Sequence, residues 1–130
     1  MSTNDPRTAA LHALLGAFEV LDFDRVGRLV AEDAVFEFPY GPHPPIQGRE
    51  AIVAFLNASM ASFVSEMRFT VQAVHPAEDP ELAFAEYASV GRLTNGGAYA
   101  NRYIAVLRVR DGLIQGFKEF YNPAVIAALR

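Results

Sequence analysis

The 130-residue sequence contains no cysteine and no tryptophan, and only three histidines. The absence of cysteine excludes disulfide bonds, thiolate catalysis and cysteine-ligated zinc, and it is compatible with a reducing compartment. No two histidines have the spacing of metal ligands, and no serine-nucleophile, phosphate-loop or dinucleotide motif occurs. The sequence therefore predicts neither a metal site nor a bound cofactor.

Long apolar runs are also absent, since none approaches the roughly 20 residues of a membrane-spanning helix. Residues 1–8 are polar and lack the apolar segment of a signal peptide. Acidic and basic residues are interspersed, with a net charge of −4, so no basic surface is offered to nucleic acid or to a membrane. We expect a cytoplasmic protein without either of these partners.

What remains has a globular composition: 52% of the residues are hydrophobic and 20% are charged. A chain of this length without a linker predicts one domain over residues 1–130. Such a domain buries roughly two-thirds of the surface of the unfolded chain. That is enough for one hydrophobic core and a small enclosed pocket.

The N-terminal half predicts three helices. Asp5 and Pro6 are typical of a helix start, and apolar residues then recur at helical spacing to about Leu21. A second, shorter helix ends before Glu32, and a third follows Gly48. The apolar stripe predicted for the second helix consists of Phe23, Val26, Leu29 and Val30.

Strands are predicted at residues 34–38, about 66–75, 82–94, 98–110 and 113–121. Turns are indicated at residues 95–97 (NGG) and 111–112 (DG), because glycine and asparagine tolerate the positive φ of tight turns. Helices followed by a run of antiparallel strands are typical of the α+β class. The last predicted strand carries one acidic residue, Glu119, in an apolar and aromatic run.

Several segments resemble the NTF2-like superfamily, which includes ketosteroid isomerases and SnoaL-like proteins. They are residues 32–39 (EDAVFEFP), 45–52 (PIQGREAI), 101–114 (NRYIAVLRVRDGLI) and 118–123 (KEFYNP), and the last two are closest to the SnoaL-like and PhzA/PhzB-type branch. The resemblance implies an α+β cone, in which three N-terminal helices pack on a strongly curved antiparallel sheet and enclose a pocket. It also implies a homodimer.

The resemblance implies that the ketosteroid isomerase machinery is missing. The isomerase general base falls on Phe38, its oxyanion-hole aspartate on Ala105, and its oxyanion tyrosine near Leu14. The pocket glutamate of the phenazine-type proteins matches Glu119, whereas their helix histidine corresponds to Phe55. The protein is therefore not expected to be a ketosteroid isomerase.

Alternate residues of a strand share a face, and the resemblance indicates which face lines the pocket. This interpretation places three groups of residues in the pocket: Phe117, Glu119 and Tyr121; Asn101, Tyr103 and Ala105; and Glu86, Ala88, Val90 and Arg92.

Two residues are predicted to be catalytic. Glu119 in an apolar pocket would have a raised pKa and could transfer protons. The alternative is a structural glutamate paired with Arg92 or hydrogen-bonded by Tyr103. His43, in the proline-rich loop that the resemblance places near the pocket mouth, is the second acid/base candidate, or else a surface histidine.

Ten further residues are predicted to bind the substrate. For the aromatic ones the alternative is a place in the core, and for Glu86 and Arg92 it is a surface ion pair. The ten are Phe38, Tyr40, Phe55, Ser59, Glu86, Arg92, Asn101, Tyr103, Phe117 and Tyr121.

Two functions are therefore considered. One is a cofactor-independent acid/base enzyme, an isomerase, cyclase or dehydratase, acting on a small hydrophobic carbonyl-bearing or polycyclic molecule. The other is a non-catalytic module that binds such a molecule. The homodimer would form through the convex face of the sheet, where the pattern places Ile104, Val106, Ile114 and Phe120.

Overall fold

The computed structural model of the protein describes residues 5–127. Its four helices are α1 (Pro6–Glu19), α2 (Phe23–Leu29), α3 (Arg49–Phe63) and α4 (Pro123–Ala127). Its six strands are β1 (Val30–Glu37), β2 (Ile46–Gln47), β3 (Val64–Pro76), β4 (Leu82–Leu93), β5 (Ala98–Arg110) and β6 (Leu113–Tyr121).

The six strands form one sheet in the order β2-β1-β6-β5-β4-β3. All neighbouring pairs are antiparallel except β1 and β6, which run parallel. The α+β class, the three helices before the long strands and the two tight turns are confirmed. The parallel pair, the short strand β2 and helix α4 were not predicted.

Val30 shows why the boundary of the second helix was wrong. Helical spacing places Val30 on the apolar stripe of that helix, but the structure has it as the first residue of β1, paired with Ile114. A β-branched side chain is well suited to a strand. The conformation of Val30 is therefore set by pairing with β6, which is distant in sequence, and not by the local helical periodicity.

Helix α1 is fixed at its N-terminus by Asp5 and Arg7. The Asp5 carboxylate accepts hydrogen bonds from the Arg7 backbone N–H and side chain. The Arg7 guanidinium also donates to the carbonyl oxygens of Ala77, Asp79 and Leu82, at 2.9–3.1 Å. Because Ala77 and Asp79 lie in the β3–β4 connection and Leu82 begins β4, one side chain ties the start of the helix to this connection.

The core lies between helices α1–α3 and the concave face of the sheet. Leu11, Leu14 and Phe18 of α1 are buried there. Phe18 packs edge-on against Phe117 of β6, with ring centroids 6.4 Å apart. The helix thus covers part of the concave face and leaves the remainder to the cavity described below.

An irregularity near the start of β6 changes which of its residues face the core. Pairing with β5 shifts by one residue between Arg108 and Val109, so that Ile114 is fully buried alongside Phe117. A β-bulge of this kind interrupts strict alternation. The prediction that Ile114 lies on the convex face was therefore wrong, whereas Ile104 is 45% exposed.

Within residues 5–127, no helix is both long and apolar enough to cross a membrane.

Gly91 is the position where the sheet tolerates no side chain. A Cβ at Gly91 would lie 2.2 Å from the Glu66 carbonyl oxygen, whereas a Cβ at Gly16 of α1 would meet no atom within 4 Å. We expect Gly91→Ala to lower the free energy of unfolding by about 1–3 kcal/mol. Gly16→Ala should raise it by about 0.5–1 kcal/mol, because alanine favours a helix over glycine.

Urea denaturation of the two variants and the wild type measures both effects. Equal stability of the two alanine variants would show that β3 and β4 do not approach each other at Gly91 as described.

Candidate functional site

A cavity of about 300 Å³ opens between α1, α3 and the concave face of the sheet. Most of its wall is apolar, and none of the described lining residues is lysine or arginine. The polar groups come from Glu119, Tyr99, Tyr103, Tyr121, Ser59 and His43. An apolar cavity with a few converging polar groups is the usual form of a small-molecule site. The remaining lining residues are Phe18, Phe38, Gly41, Pro42, Phe55, Leu56, Met60, Phe63, Val64, Met67, Phe69, Leu93 and Ile126.

Glu119 lies on β6 opposite Ala105 and is only 8% exposed. Its Oε2 accepts a hydrogen bond from the buried hydroxyl of Tyr87. Burial raises the pKa of Glu119 to about 7, although the Tyr87 hydrogen bond acts in the opposite direction. Desolvation disfavours the charged carboxylate more than a single phenol can offset. At neutral pH the group is thus poised between its two protonation states.

Three tyrosines stand around this carboxyl group. The rings of Tyr87 and Tyr103 stack with centroids 5.0 Å apart. The Tyr103 hydroxyl lies 2.6 Å from Ser89 Oγ and 3.3 Å from the Tyr99 hydroxyl. Burial raises the pKa of Tyr87, Tyr99 and Tyr103, and the negative charge of Glu119 adds to this. The phenols therefore stay protonated and act as hydrogen-bond donors.

The proline-rich loop forms the mouth of the cavity. His43 is exposed to solvent, and its ring packs nearly perpendicular to that of Phe55, with the centroids 4.9 Å apart. Phe55 stacks in turn on Phe38, at 5.7 Å. A Cβ at Gly41 would lie 2.6 Å from the Tyr121 hydroxyl, so the loop passes directly over that phenol.

Another depression lies on the outside of the molecule between α2 and α3. It measures about 620 Å³, and charged residues, including Asp24, Arg28 and Glu50, line it together with apolar ones. It is wide open to water, which weakens electrostatic interactions and hydrates any charged intermediate. The inner cavity, which contains the buried carboxyl group, is the better candidate for chemistry.

Metal ligands are not gathered at either place. Among residues 5–127, no three histidine, aspartate or glutamate side chains come together in an arrangement that could hold a metal ion.

The structure brings seven of the twelve predicted site residues to the cavity wall. These are Phe38, His43, Phe55, Ser59, Tyr103, Glu119 and Tyr121.

Two more predicted residues lie behind the wall. Phe117 is 1% exposed and packs between Phe18, Phe36 and Phe38 in the core. Asn101 is 4% exposed, and its side-chain amide donates to the Tyr99 hydroxyl. Each therefore supports a lining residue from behind.

The other three predicted residues lie away from the cavity. Tyr40 is 58% exposed and packs on Phe120. Glu86 forms a 2.6 Å contact with His75 on the outer face of the sheet. The Arg92 side chain is 63% exposed and lies 3.9 Å from a Glu66 carboxylate oxygen. A pairing of Glu119 with Arg92 is therefore wrong, and Tyr87, rather than Tyr103, donates to Glu119.

The misplacement of Glu86 and Arg92 comes from one error of strand parity. Tyr87 of β4 pairs with Tyr103 of β5, and Ser89 pairs with Asn101, so odd-numbered residues of both strands share the concave face. A turn with an odd number of residues between antiparallel strands always gives this relation. The three-residue turn predicted at residues 95–97 therefore already contained the signal that would have identified Tyr87, Ser89 and Tyr99.

Known proteins resemble this chain in sequence and in fold. An uncharacterised PhzA/B-like protein of Pseudomonas aeruginosa is 38% identical over 95 residues, which are 70% of this chain and 66% of that protein. A Bacillus subtilis crystal structure superposes with a TM-score of 0.86 at 28% identity, covering 98% of this chain and 94% of the other.

A Mycobacterium tuberculosis protein, solved in complex with estradiol-17β-hemisuccinate, superposes with a TM-score of 0.79 at 20% identity. The superposition covers 94% of this chain and 98% of the other, and it establishes a shared fold. The family model of the SnoaL-like domain matches residues 11–117. The chain has the NTF2-like fold and belongs to the SnoaL-like domain family.

Proposed function

We propose that the protein is a cofactor-independent acid/base enzyme acting on a small hydrophobic molecule that carries a carbonyl group. One observation carries the proposal: Glu119 is buried in the wall of an apolar cavity, and its pKa is raised to about 7. A group with a pKa near the working pH is the most effective proton-transfer catalyst, because both of its forms are populated.

The chemistry needs only a proton and a dry cavity. As a carboxylate, Glu119 removes a proton from the carbon next to the carbonyl group of the substrate. As a carboxylic acid, it returns that proton to another atom of the same molecule. The apolar wall keeps water from the anionic intermediate. Isomerisation, ring closure and dehydration all consist of such steps, and the proposal covers these three reactions as one class.

The character of the wall supports a hydrophobic, neutral substrate. No described lining residue is a lysine or arginine that could pair with an anionic ligand, and many of the lining side chains are aromatic. The M. tuberculosis protein with the same fold, solved in complex with a steroid derivative, supports the hydrophobic character of the substrate but not its charge. His43 at the mouth is the second proposed acid/base group, and Ser59 and Tyr121 are proposed substrate contacts.

The Tyr87 hydrogen bond favours the second candidate, a binding module without catalysis. A carboxyl group bonded to a buried phenol is also a stable way to complete the wall of a ligand cavity. In that case Glu119 would shape the cavity and transfer no proton.

The first prediction concerns proton transfer itself. In deuterium oxide the wild type should accelerate exchange of the α-protons of β-tetralone, a bicyclic ketone, and nuclear magnetic resonance measures the rate. The rate should rise with pH to a plateau above about pH 7, because the carboxylate is the active base. Glu119→Gln should lower the protein-dependent rate by about 10²-fold or more.

Glu86→Gln is the matched control, since that glutamate lies on the outer face of the sheet and should leave the rate unchanged. A Glu119→Gln variant as fast as the wild type, or a wild type no faster than buffer, would leave only the binding module.

The second prediction concerns stability. Because the pKa of Glu119 is higher in the folded protein than its ordinary value of 4.5, the folded state holds a proton that the unfolded state releases. The free energy of unfolding should therefore fall as the pH rises from about 4.5 to about 7, by about 3 kcal/mol from this group.

Urea denaturation at pH 4.5 and pH 8 measures this as the difference between the wild type and Glu119→Gln, in which the contribution is absent. A difference that is the same at both pH values would mean that Glu119 is ionised in the folded state as readily as in water.

We further propose a homodimer formed through the outer face of the sheet. Phe84, Val90 and Ile104 are 40%, 59% and 45% exposed on this face. Phe84 and Ile104 are diagonal neighbours, and Val90 lies further along β4 on the same face. Exposed apolar side chains of this size favour burial against a partner. A second copy of the chain presents the same surface, as a two-fold symmetric contact requires.

The cytoplasm is the proposed compartment, because a chain without cysteine needs no oxidising environment.

Light scattering after size exclusion at micromolar concentration should give twice the chain mass for the wild type. Ile104→Glu should give the single chain mass, because it would bury a charge in the contact. Val20→Glu is the control, since Val20 is 63% exposed at the end of α1, the helix that packs on the opposite, concave face of the sheet. A wild type with the mass of one chain would refute the dimer.

A further inference from the structure

Four polar side chains of β4 and β5 form a continuous chain of hydrogen bonds behind and along the cavity wall. Ser89 Oγ lies 2.6 Å from the Tyr103 hydroxyl, which lies 3.3 Å from the Tyr99 hydroxyl. The Asn101 side-chain nitrogen lies 3.1 Å from the same Tyr99 oxygen. Tyr99 and Tyr103 reach the cavity, whereas Ser89 and Asn101 are buried behind it.

The direction of the Asn101 bond is determined by its surroundings. Asn101 Oδ1 accepts from the backbone N–H groups of Arg102 and Asn122, at 2.8 and 3.0 Å. Because the amide oxygen must face these two donors, the amide nitrogen faces Tyr99 and donates to it. Tyr99 therefore receives one hydrogen bond that uses none of the hydroxyl protons.

The direction of the Ser89 bond follows from burial. Ser89 is 2% exposed, and among the described residues its Oγ has a hydrogen-bond contact with Tyr103 alone. A buried hydroxyl proton without an acceptor is costly. Ser89 therefore donates to Tyr103.

These three hydroxyl groups have one more proton than the hydrogen bonds between them can use. The hydroxyl groups of Ser89, Tyr99 and Tyr103 have three protons, but only two bonds join these hydroxyls to one another. Ser89 uses its proton towards Tyr103, and the bond between the two phenols uses one more. Whichever phenol donates in that bond, the other keeps a free O–H. Among the contacts of residues 5–127, neither phenol forms a hydrogen bond with Glu119. The free O–H is therefore available to donate to a molecule bound in the cavity.

We propose that Tyr99 and Tyr103 act as a pair that presents one O–H donor to the carbonyl oxygen of the ligand. The proposal rests on the proposed function in taking the ligand to be a carbonyl compound. A neutral acceptor is favoured over an anion, because no described lining residue is lysine or arginine and Glu119 itself becomes negative on ionisation. Ser89 and Asn101 donate hydrogen bonds to the phenol oxygens. This polarises the remaining phenol O–H and makes it a stronger hydrogen-bond donor.

In catalysis this donor would complement Glu119. When Glu119 removes a proton beside the carbonyl group, negative charge develops on the carbonyl oxygen, and a fixed O–H stabilises it. The charge is stabilised from β5 while the proton is removed from β6, so the two tasks belong to different strands of the same wall. Tyr99 is the member of this pair that the sequence interpretation missed.

The test compares two probes of similar shape, 2-acetylnaphthalene and 2-isopropylnaphthalene, of which only the ketone can accept a hydrogen bond. The ratio of their dissociation constants is measured in the wild type, in Tyr99→Phe, in Tyr103→Phe and in the double variant. Because each single variant still has one phenol with a free proton, both should keep most of the preference for the ketone. The double variant should weaken ketone binding relative to the hydrocarbon by about three- to tenfold.

The infrared stretching frequency of the bound ketone gives an independent signature of the hydrogen bond. It should be lower in the wild type and in both single variants than in the double variant. Unchanged hydrocarbon affinity in the double variant shows that the cavity is intact. Tyr40→Phe is the matched control, because that tyrosine is exposed outside the cavity and should change neither readout.

Two results would overturn the proposal. One is a double variant with the same probe ratio and the same carbonyl frequency as the wild type. The other is loss of the ketone preference in Tyr121→Phe alone, which would assign the donor to Tyr121. Since binding needs no proton transfer, the same measurements on Glu119→Gln separate a failure of this inference from a failure of the proposed catalysis.

Discussion

The removal of one carboxyl group from water is the constraint on which the cavity depends. Glu119 sits in an apolar wall, and among residues 5–127 one side chain, the phenol of Tyr87, donates a hydrogen bond to it. An arginine in place of Tyr87 would lower the pKa of Glu119 and keep the carboxyl group ionised. Two additional hydrogen-bond donors would have the same effect. One neutral donor is enough to satisfy Oε2 but too little to offset desolvation, so both protonation states remain accessible. The ability of Glu119 to exchange a proton follows from this, because the hydrogen bond from Tyr87 offsets only part of the cost of desolvation.

The register between strands determines which groups surround that carboxyl. On β4, one parity places Tyr87 and Ser89 on the concave face, and the other places Glu86 and Arg92 on the outer face. A shift of one residue would exchange them and give a charged cavity around Glu119. The length of the β4–β5 turn therefore determines whether Glu119 is surrounded by neutral or by charged side chains.

Much of this fold was predictable, because its signals are local: a capped helix start at Asp5, two glycine turns, and long apolar strands. The site was predictable only in part. The inward direction of Glu119 came from the family resemblance. The two-residue turn before β6 would by itself have pointed Glu119 outward, and only the bulge at Arg108 and Val109 restores the observed face. Bulges and parallel pairing arise from contacts between distant segments, which leave no local pattern in the chain.

The close passage of the mouth loop over Tyr121 has a consequence for protein engineering. A Cβ at Gly41 would lie 2.6 Å from the Tyr121 hydroxyl, whereas Pro42 and His43 next to it are exposed to solvent. A library that reshapes the entrance for a different molecule can therefore vary Pro42 without displacing that phenol, while His43 is kept as the proposed acid/base group. At Gly41 any larger residue would push the phenol aside and alter the polar end of the cavity at the same time. Entrance width and ligand polarity can be selected separately only while that glycine is kept.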